Sequence, residues 1–271
     1  MLPRADGHGI PVRRARSVMG TTASIHVHDA ADITLVDRAI DEVLAELDRL
    51  EAMFSTYRHD SEISRVNRGE LHVGDCSAEV IEVLDACTWL EQVSGGAFDI
   101  RPRGLDGPID PAGFVKGWAT ERASSALMRA GLAHWYVSVG GDMVLSGTPA
   151  PGERWRVGLA DPLHPGELVA SIDVEEGAVA TSGTAERGAH LWDARTGDTA
   201  GGFASVTVMG PSLTWADAFA TTVFVMGVAG LGWLERFDGY HAVAVRPDGT
   251  LVASAAIDNA GVSRGGPSPT R

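Results

Sequence analysis

At 271 residues and 44% hydrophobic content, the chain is long enough to bury a substantial core in one large or two small domains, and too apolar to be disordered. Its 22 Lys and Arg against 36 Asp and Glu leave a net charge of −14, which repels nucleic-acid phosphate and anionic membrane surfaces. The 2 cysteines, Cys76 and Cys87, are too few for a disulfide framework or a thiolate zinc site.

Residues 1–16 read as a flexible N-terminal tail that carries the one basic run, Arg13-Arg14-Ala15-Arg16. No apolar signal core or lipid-bearing cysteine accompanies it, so the chain as given is expected in the cytoplasm. A strand through Ala23-Ser24-Ile25-His26-Val27 follows; His26 and His28 share one of its faces and read as a solvated edge. Val36, Ile40, Val43, Leu44, Leu47 and Leu50 recur at helical spacing and predict an amphipathic helix that ends at Phe54-Ser55-Thr56-Tyr57. Asp60 to Ser64 forms a short polar turn or helix. Ser77 is placed to cap a second helix through Val80, Ile81, Leu84, Cys87 and Leu90, stopping at Ser94-Gly95-Gly96. Cys87 then reads as a buried thiol. The Pro- and Gly-rich stretch from Arg101 to Pro111 is loop, and a helix runs from Gly113 to Ala130, closed by Gly131.

Strand patterns follow at His134 to Val139, Met143 to Leu145, Trp155 to Leu159, Leu168 to Val174, Ser205 to Met209, His241 to Val245 and Leu251 to Ala255. Apolar helices occupy the region near 212–236; the uncharged run from Ala218 to Leu234 is diluted by glycines and threonines, which favours a buried helix pair over a membrane span. Helices and strands alternate without a regular βαβ period, so the fold class is α+β. The tail, residues 259–271, reads as disordered.

The chemistry concentrates in a few segments. Asp217 and Thr221 lie four residues apart in an apolar helix, which puts both oxygens on one face. Such a pair suits Mg²⁺ and phosphate chemistry; equally, Asp217 is placed to cap the helix and Thr221 to bond back to its backbone. Asp110-Pro111-Ala112-Gly113-Phe114-Val115-Lys116-Gly117 brings a loop into a helix N-terminus, with Lys116 as a positive charge for phosphate but no P-loop pattern. Gly95-Gly96-Ala97-Phe98-Asp99 is either a helix-terminal turn or an approach for a flat ligand. Val139-Gly140-Gly141-Asp142 is either a plain hairpin or a site. The polar run from Ala180 to Gly197 holds His190, the side chain there suited to proton transfer near neutrality.

Together these segments resemble the ApbE family, the FAD:protein FMN transferases. The likeness runs from Met19-Gly20-Thr21-Thr22 through Phe54-Ser55-Thr56-Tyr57-Arg58-His59-Asp60-Ser61-Glu62-Ile63-Ser64-Arg65-Val66-Asn67 and Gly95-Gly96-Ala97-Phe98-Asp99 to Ala216-Asp217-Ala218-Phe219-Ala220-Thr221. The resemblance implies a single compact ApbE-like (T-fold-like) domain over residues 17–258, with mixed or antiparallel sheets and packed helices. It implies Mg²⁺ on Asp217, Thr221 and a backbone oxygen near Gly113. FAD, the substrate, would contact Met19, Tyr57, Ala97, Phe98, Asp99, Asp110, Lys116 and Trp192. His190 matches the histidine of the family's His-x-x-Asp-Pro-Arg-Thr-Gly signature and would act as the base, assisted by Lys116; Ala194 stands where that signature has proline.

The implied activity is Mg²⁺-dependent transfer of the FMN half of FAD to a Thr or Ser hydroxyl of an acceptor protein carrying a flavinylation motif, with release of AMP. Two rivals use the same residues. An FAD pyrophosphatase would put water in place of the hydroxyl, and a flavin-binding protein would hold FAD uncleaved.

Overall fold

In the computed structural model, residues 7–101, 107–183, 202–254 and 263–264 are described. Eight antiparallel strands form the main sheet, in the order β1-β2-β3-β4-β7-β8-β9-β10, and a three-stranded sheet has the order β11-β6-β5. The strands of the main sheet are β1 (His8–Val18), β2 (Thr21–Asp29), β3 (Trp135–Val139), β4 (Asp142–Ser146), β7 (Gly177–Gly183), β8 (Ser205–Gly210), β9 (His241–Val245) and β10 (Leu251–Ala253). The small sheet holds β5 (Trp155–Ala160), β6 (Leu168–Val174) and β11 (Ser263–Arg264). Every strand pair among the described residues is antiparallel, so the mixed-sheet option drops out.

Helices α1 (Ile33–Phe54), α2 (Glu62–Asn67), α3 (Ala78–Val93), α4 (Ala112–Arg129), α5 (Leu213–Met226) and α6 (Val228–Leu234) supply the other half of the core. Val36, Ile40, Val43, Leu47 and Leu50 of α1 are buried with Ile25, Val137 and Val208 from the sheet. A smaller cluster of Leu145, Val179 and Val243 with Trp155, Leu159 and Ile172 joins the main sheet to the small one. Helix α5 is the most buried helix among the described residues. Phe219 on it packs against Trp215, Trp233, Phe237 and Tyr240. Helix α6 turns back at Gly227 (φ 62°), giving the buried pair that the uncharged run implies. No helix among the described residues is long and apolar enough to cross a membrane.

Local chemistry explains the helix limits. Asp32 accepts the N–H groups of Thr34 and Leu35 to start α1, Ser61 accepts that of Ser64 to start α2, and Ser77 accepts that of Val80 to start α3. Gly131 (φ 80°) follows α4, as its place after Ala130 predicts.

Three expectations are corrected. The supposed tail is ordered from Gly7 and forms edge strand β1. Its arginines do not make a basic patch, because Arg14 pairs with Asp37 at 2.5 Å and Arg16 with Asp48 at 2.6 Å, tying the edge to α1. Charged side chains and Pro11 on an edge strand hide the alternation by which strands are recognised. His26 and His28 do not lie on a solvated edge: β2 is flanked on both sides, His26 stacks on Tyr136 and His28 meets Trp155 edge-on. Strand β7, unforeseen because its sequence Gly-Ala-Val-Ala-Thr-Ser-Gly is small and buried rather than alternating, pairs with β4 and β8. Of residues 259–271, Ser263 and Arg264 pair with β6; the rest lie outside the described residues.

Candidate active site

The site is assembled where α4 crosses α5 beside the ends of β4 and β7. Gly117 makes the crossing close: a Cβ there would lie 2.6 Å from the Leu213 carbonyl oxygen and 2.8 Å from Asp217 Cβ. One turn further along α4, Glu121 Oε2 accepts from Ser212 Oγ at 2.8 Å and from the Thr214 N–H at 2.9 Å, capping α5 from outside.

Asp217 is the fifth residue of α5 and fully buried, so the capping reading fails for it. Its Oδ2 accepts the Gly117 N–H at 2.9 Å. That N–H is the regular helical partner of the Gly113 carbonyl, so the carboxylate competes with Gly113 for it. Among the described residues, Asp217 Oδ1 accepts no hydrogen bond, and it lies 3.7 Å from Lys116 Nζ. Thr221, one turn on, pairs its hydroxyl with Ser182 Oγ of β7 at 3.0 Å; it is the next residue, Thr222, that bonds back to the helix, at Ala218 O.

Asp142 completes the cluster. Gly140 and Gly141, both at positive φ (60° and 94°), make the two-residue turn between β3 and β4. The hairpin reading of that segment is therefore right, and it also delivers Asp142 to the site, with no exposure to solvent. Asp142 Oδ1 accepts the Thr181 N–H at 2.9 Å, and Oδ2 forms a close ion pair with Lys116. Burial and the neighbouring Asp217 carboxylate push the Asp142 pKa up, against the opposing pull of Lys116.

Lys116 connects this buried cluster to a cleft of about 560 Å³ lined by Met19, Gly20, Glu51, Phe54, Ser55, Thr56, Tyr57, Arg58, Asp110, Ala112, Val115 and Lys116. Such a volume is typical of small-molecule sites. Met19 and Gly20 form the two-residue turn from β1 to β2, both at positive φ (51° and 69°), and the Met19 N–H donates to Glu51 Oε2 at 2.9 Å. Tyr57 is 98% exposed at the rim; its loop is held by Ser61 and Ser64, whose hydroxyls both donate to Ser55 O. Asn67 forms a two-way amide clasp with Ile109, at 2.8 and 2.9 Å, which sets the approach to Asp110. Asp110 Oδ1 in turn accepts the Ala112 N–H at the start of α4.

Of the predicted flavin contacts, then, Met19, Tyr57, Asp110 and Lys116 line one cleft. Ala97, Phe98 and Asp99 do not line it. Ala97 and Phe98 are buried, Phe98 in the main core, and Asp99 accepts the Arg101 N–H at 2.7 Å. His190 and Trp192 lie outside the described residues. Sequence reasoning missed Glu51, Ser182, and the roles of Asp142 and Gly117. Asp142 carried a signal, a carboxylate directly after a glycine turn; Glu51 sits among the charged residues of an amphipathic helix and carried none.

The donors fit a hard cation. Asp217 Oδ1 is a buried carboxylate oxygen without a hydrogen-bond donor among the described residues, Thr221 Oγ1 shares its helix face, and oxygen ligands of this kind suit Mg²⁺.

The model described as the ApbE family matches residues 19–107 and 103–244. The FAD:protein FMN transferase of Haemophilus influenzae is 25% identical, over 77% of this chain and 79% of its own length. That of Treponema pallidum is 26% identical, over 90% of this chain and 87% of its own. Among solved structures, the ApbE protein of Thermotoga maritima superposes with a TM-score of 0.80 at 22% identity, covering 92% of this chain and 98% of that one. The flavin transferase ApbE of Vibrio cholerae does so with a TM-score of 0.77 at 23% identity, covering 93% and 99%.

Proposed function

The chain belongs to the ApbE family, and on that premise we propose that it is a Mg²⁺-dependent transferase that moves the FMN half of FAD onto a Thr or Ser hydroxyl of an acceptor protein. The observation that carries this reading is Lys116: it lines the cleft where Met19, Tyr57 and Asp110 meet, and its ammonium is paired with the buried Asp217 carboxylate behind.

In this reading the cleft holds FAD with its pyrophosphate toward the start of α4, where the helix N-terminus and Lys116 favour negative charge. Asp217, Thr221 and the Gly113 carbonyl would hold Mg²⁺, which supplies charge neutralisation at the pyrophosphate. The acceptor hydroxyl oxygen bonds to the phosphorus of the FMN half, the bond from that phosphorus to the bridging oxygen breaks, and AMP leaves with that oxygen. His190 takes the hydroxyl proton. The buried position of Asp217 keeps its charge in a low-dielectric setting, where it acts strongly on whatever cation it faces.

The test is AMP release matched by FMN gained on an acceptor protein, with FAD and that acceptor incubated with the wild-type chain, Asp217→Asn or His190→Ala, and with Mg²⁺ or EDTA. Release that requires Mg²⁺, is lost in Asp217→Asn and falls in His190→Ala while FAD binding persists supports the reading. Metal-independent release, or full turnover in Asp217→Asn, contradicts it.

A further inference from the structure

A second fully buried carboxylate stands beside Asp217, and the chemistry proposed above does not use it. Asp142 is satisfied at Oδ1 by the Thr181 N–H, while Oδ2 meets Lys116 in a close ion pair. The same ammonium lies 3.7 Å from Asp217 Oδ1, the oxygen assigned to the cation. Lys116 thus stands between two carboxylates, nearer to Asp142. An ammonium and a divalent ion that reach for one oxygen repel each other, strongly so where water is excluded. Whether Asp217 is open to a metal therefore depends on where Lys116 is held.

We infer that Asp142 is a positioning residue that acts on the cation through Lys116: it keeps the ammonium on its own side and leaves Asp217 Oδ1 to the divalent ion. The inference rests on the reading of Asp217 as a metal ligand. Charge gives it a distinctive signature. Among the described residues, two carboxylates face this one ammonium. Neutralising Asp142 releases Lys116 toward Asp217; without the ammonium Asp142 has nothing to hold, and its loss should leave the cation nearly unaffected. If Asp142 instead bound the metal directly, or merely braced β7, its loss would weaken binding by the same factor with the lysine or without it.

The experiment titrates Mn²⁺ into the full chain without added FAD and follows free Mn²⁺ by electron paramagnetic resonance. The proteins are the wild type, Asp142→Asn, Lys116→Met, the double variant, and Asp217→Asn. Asparagine keeps an acceptor for the Thr181 N–H, and circular dichroism with thermal melts verifies the fold. Asp142→Asn should weaken Mn²⁺ binding about tenfold or more, Lys116→Met should tighten it, and the double variant should bind within about threefold of Lys116→Met, since Asp142 acts only through the lysine. A double variant weaker than Lys116→Met by the factor that separates Asp142→Asn from the wild type overturns the inference, as does a Lys116→Met protein that binds no tighter than the wild type; the second comparison stands even if Asp142→Asn does not fold. Mn²⁺ binding undiminished in Asp217→Asn overturns the assignment of the cation to Asp217, and this inference with it.

Discussion

Asp217 Oδ2 accepts the backbone N–H of Gly117 at 2.9 Å, across a helix crossing so close that no side chain fits at the donor. The bond and the missing side chain are one arrangement, since the carboxylate reaches the backbone only because glycine lets α4 approach α5. Gly117→Ala should therefore cost about 1–3 kcal/mol of stability, the usual range for overpacking, and should displace Asp217. Thermal unfolding and Mn²⁺ affinity measured on the same preparation check this. Unchanged metal affinity in a destabilised protein would separate the crossing from the site.

Met19 is the one non-glycine residue with positive φ among the described residues, at 51°. It occupies the first position of a turn that prefers asparagine or glycine, and it lines the cleft. A backbone held there against its preference costs about 1–2 kcal/mol. Met19→Asn should raise stability by about 1 kcal/mol and weaken FAD binding, which differential scanning calorimetry and FAD titration read separately. If stability does not rise, the strain is relieved elsewhere; if FAD affinity is unchanged, Met19 does not touch the ligand.

His26 carries a pKa below its ordinary value of 6.5, through burial first and the charges of Arg13 and His28 after it. His134 is shifted in the same direction, by burial and then by His8. In the unfolded chain these imidazoles bind protons as pH falls through 6.5, while the folded protein resists until the pH reaches its lower folded-state values. Stability is thus fully present above 6.5 and is lost as pH falls through that window. His26→Gln should flatten the dependence of Tm on pH between about 7 and 5.5. An identical slope in the variant would place the effect at other groups.

Both cysteines are free and buried, and burial pushes their thiols to higher pKa. Low thiolate content and restricted access should leave them nearly inert to a disulfide reagent in the native protein, with both reacting promptly in denaturant. Rapid native labelling of Cys87, in the middle of α3, would show that the helix opens on the timescale of the assay.

How far the sequence predicts this structure depends on the kind of signal each residue carries. Periodic burial and caps are local, so Asp32, Ser61 and Ser77 sit at or beside the helix starts expected from their neighbours. Asp217 is legible for a similar reason, because a carboxylate among Phe219, Val223 and Phe224 demands a partner. Its partners are not legible. Gly117 lies 100 residues away in sequence, and nothing in its own segment says that a helix passes within van der Waals distance. Strand β1 is masked by its arginines, whose counter-ions on α1 become visible only when the edge is placed. Phe98, a flavin contact only by the family resemblance, sits in the core.

The central claim is that the flavin ends on a protein hydroxyl. It is tested most directly by the intact mass of a threonine-bearing acceptor domain after incubation with the chain, FAD and Mg²⁺, alongside quantified AMP. The account predicts a gain of one FMN less water on the acceptor, matched mole for mole by AMP, absent with EDTA and absent when the acceptor threonine is replaced by alanine. An acceptor that stays unmodified while FMN and AMP accumulate would contradict it and identify a hydrolase; FAD left intact with the chain fully loaded would contradict it as well, in favour of a flavin-binding protein.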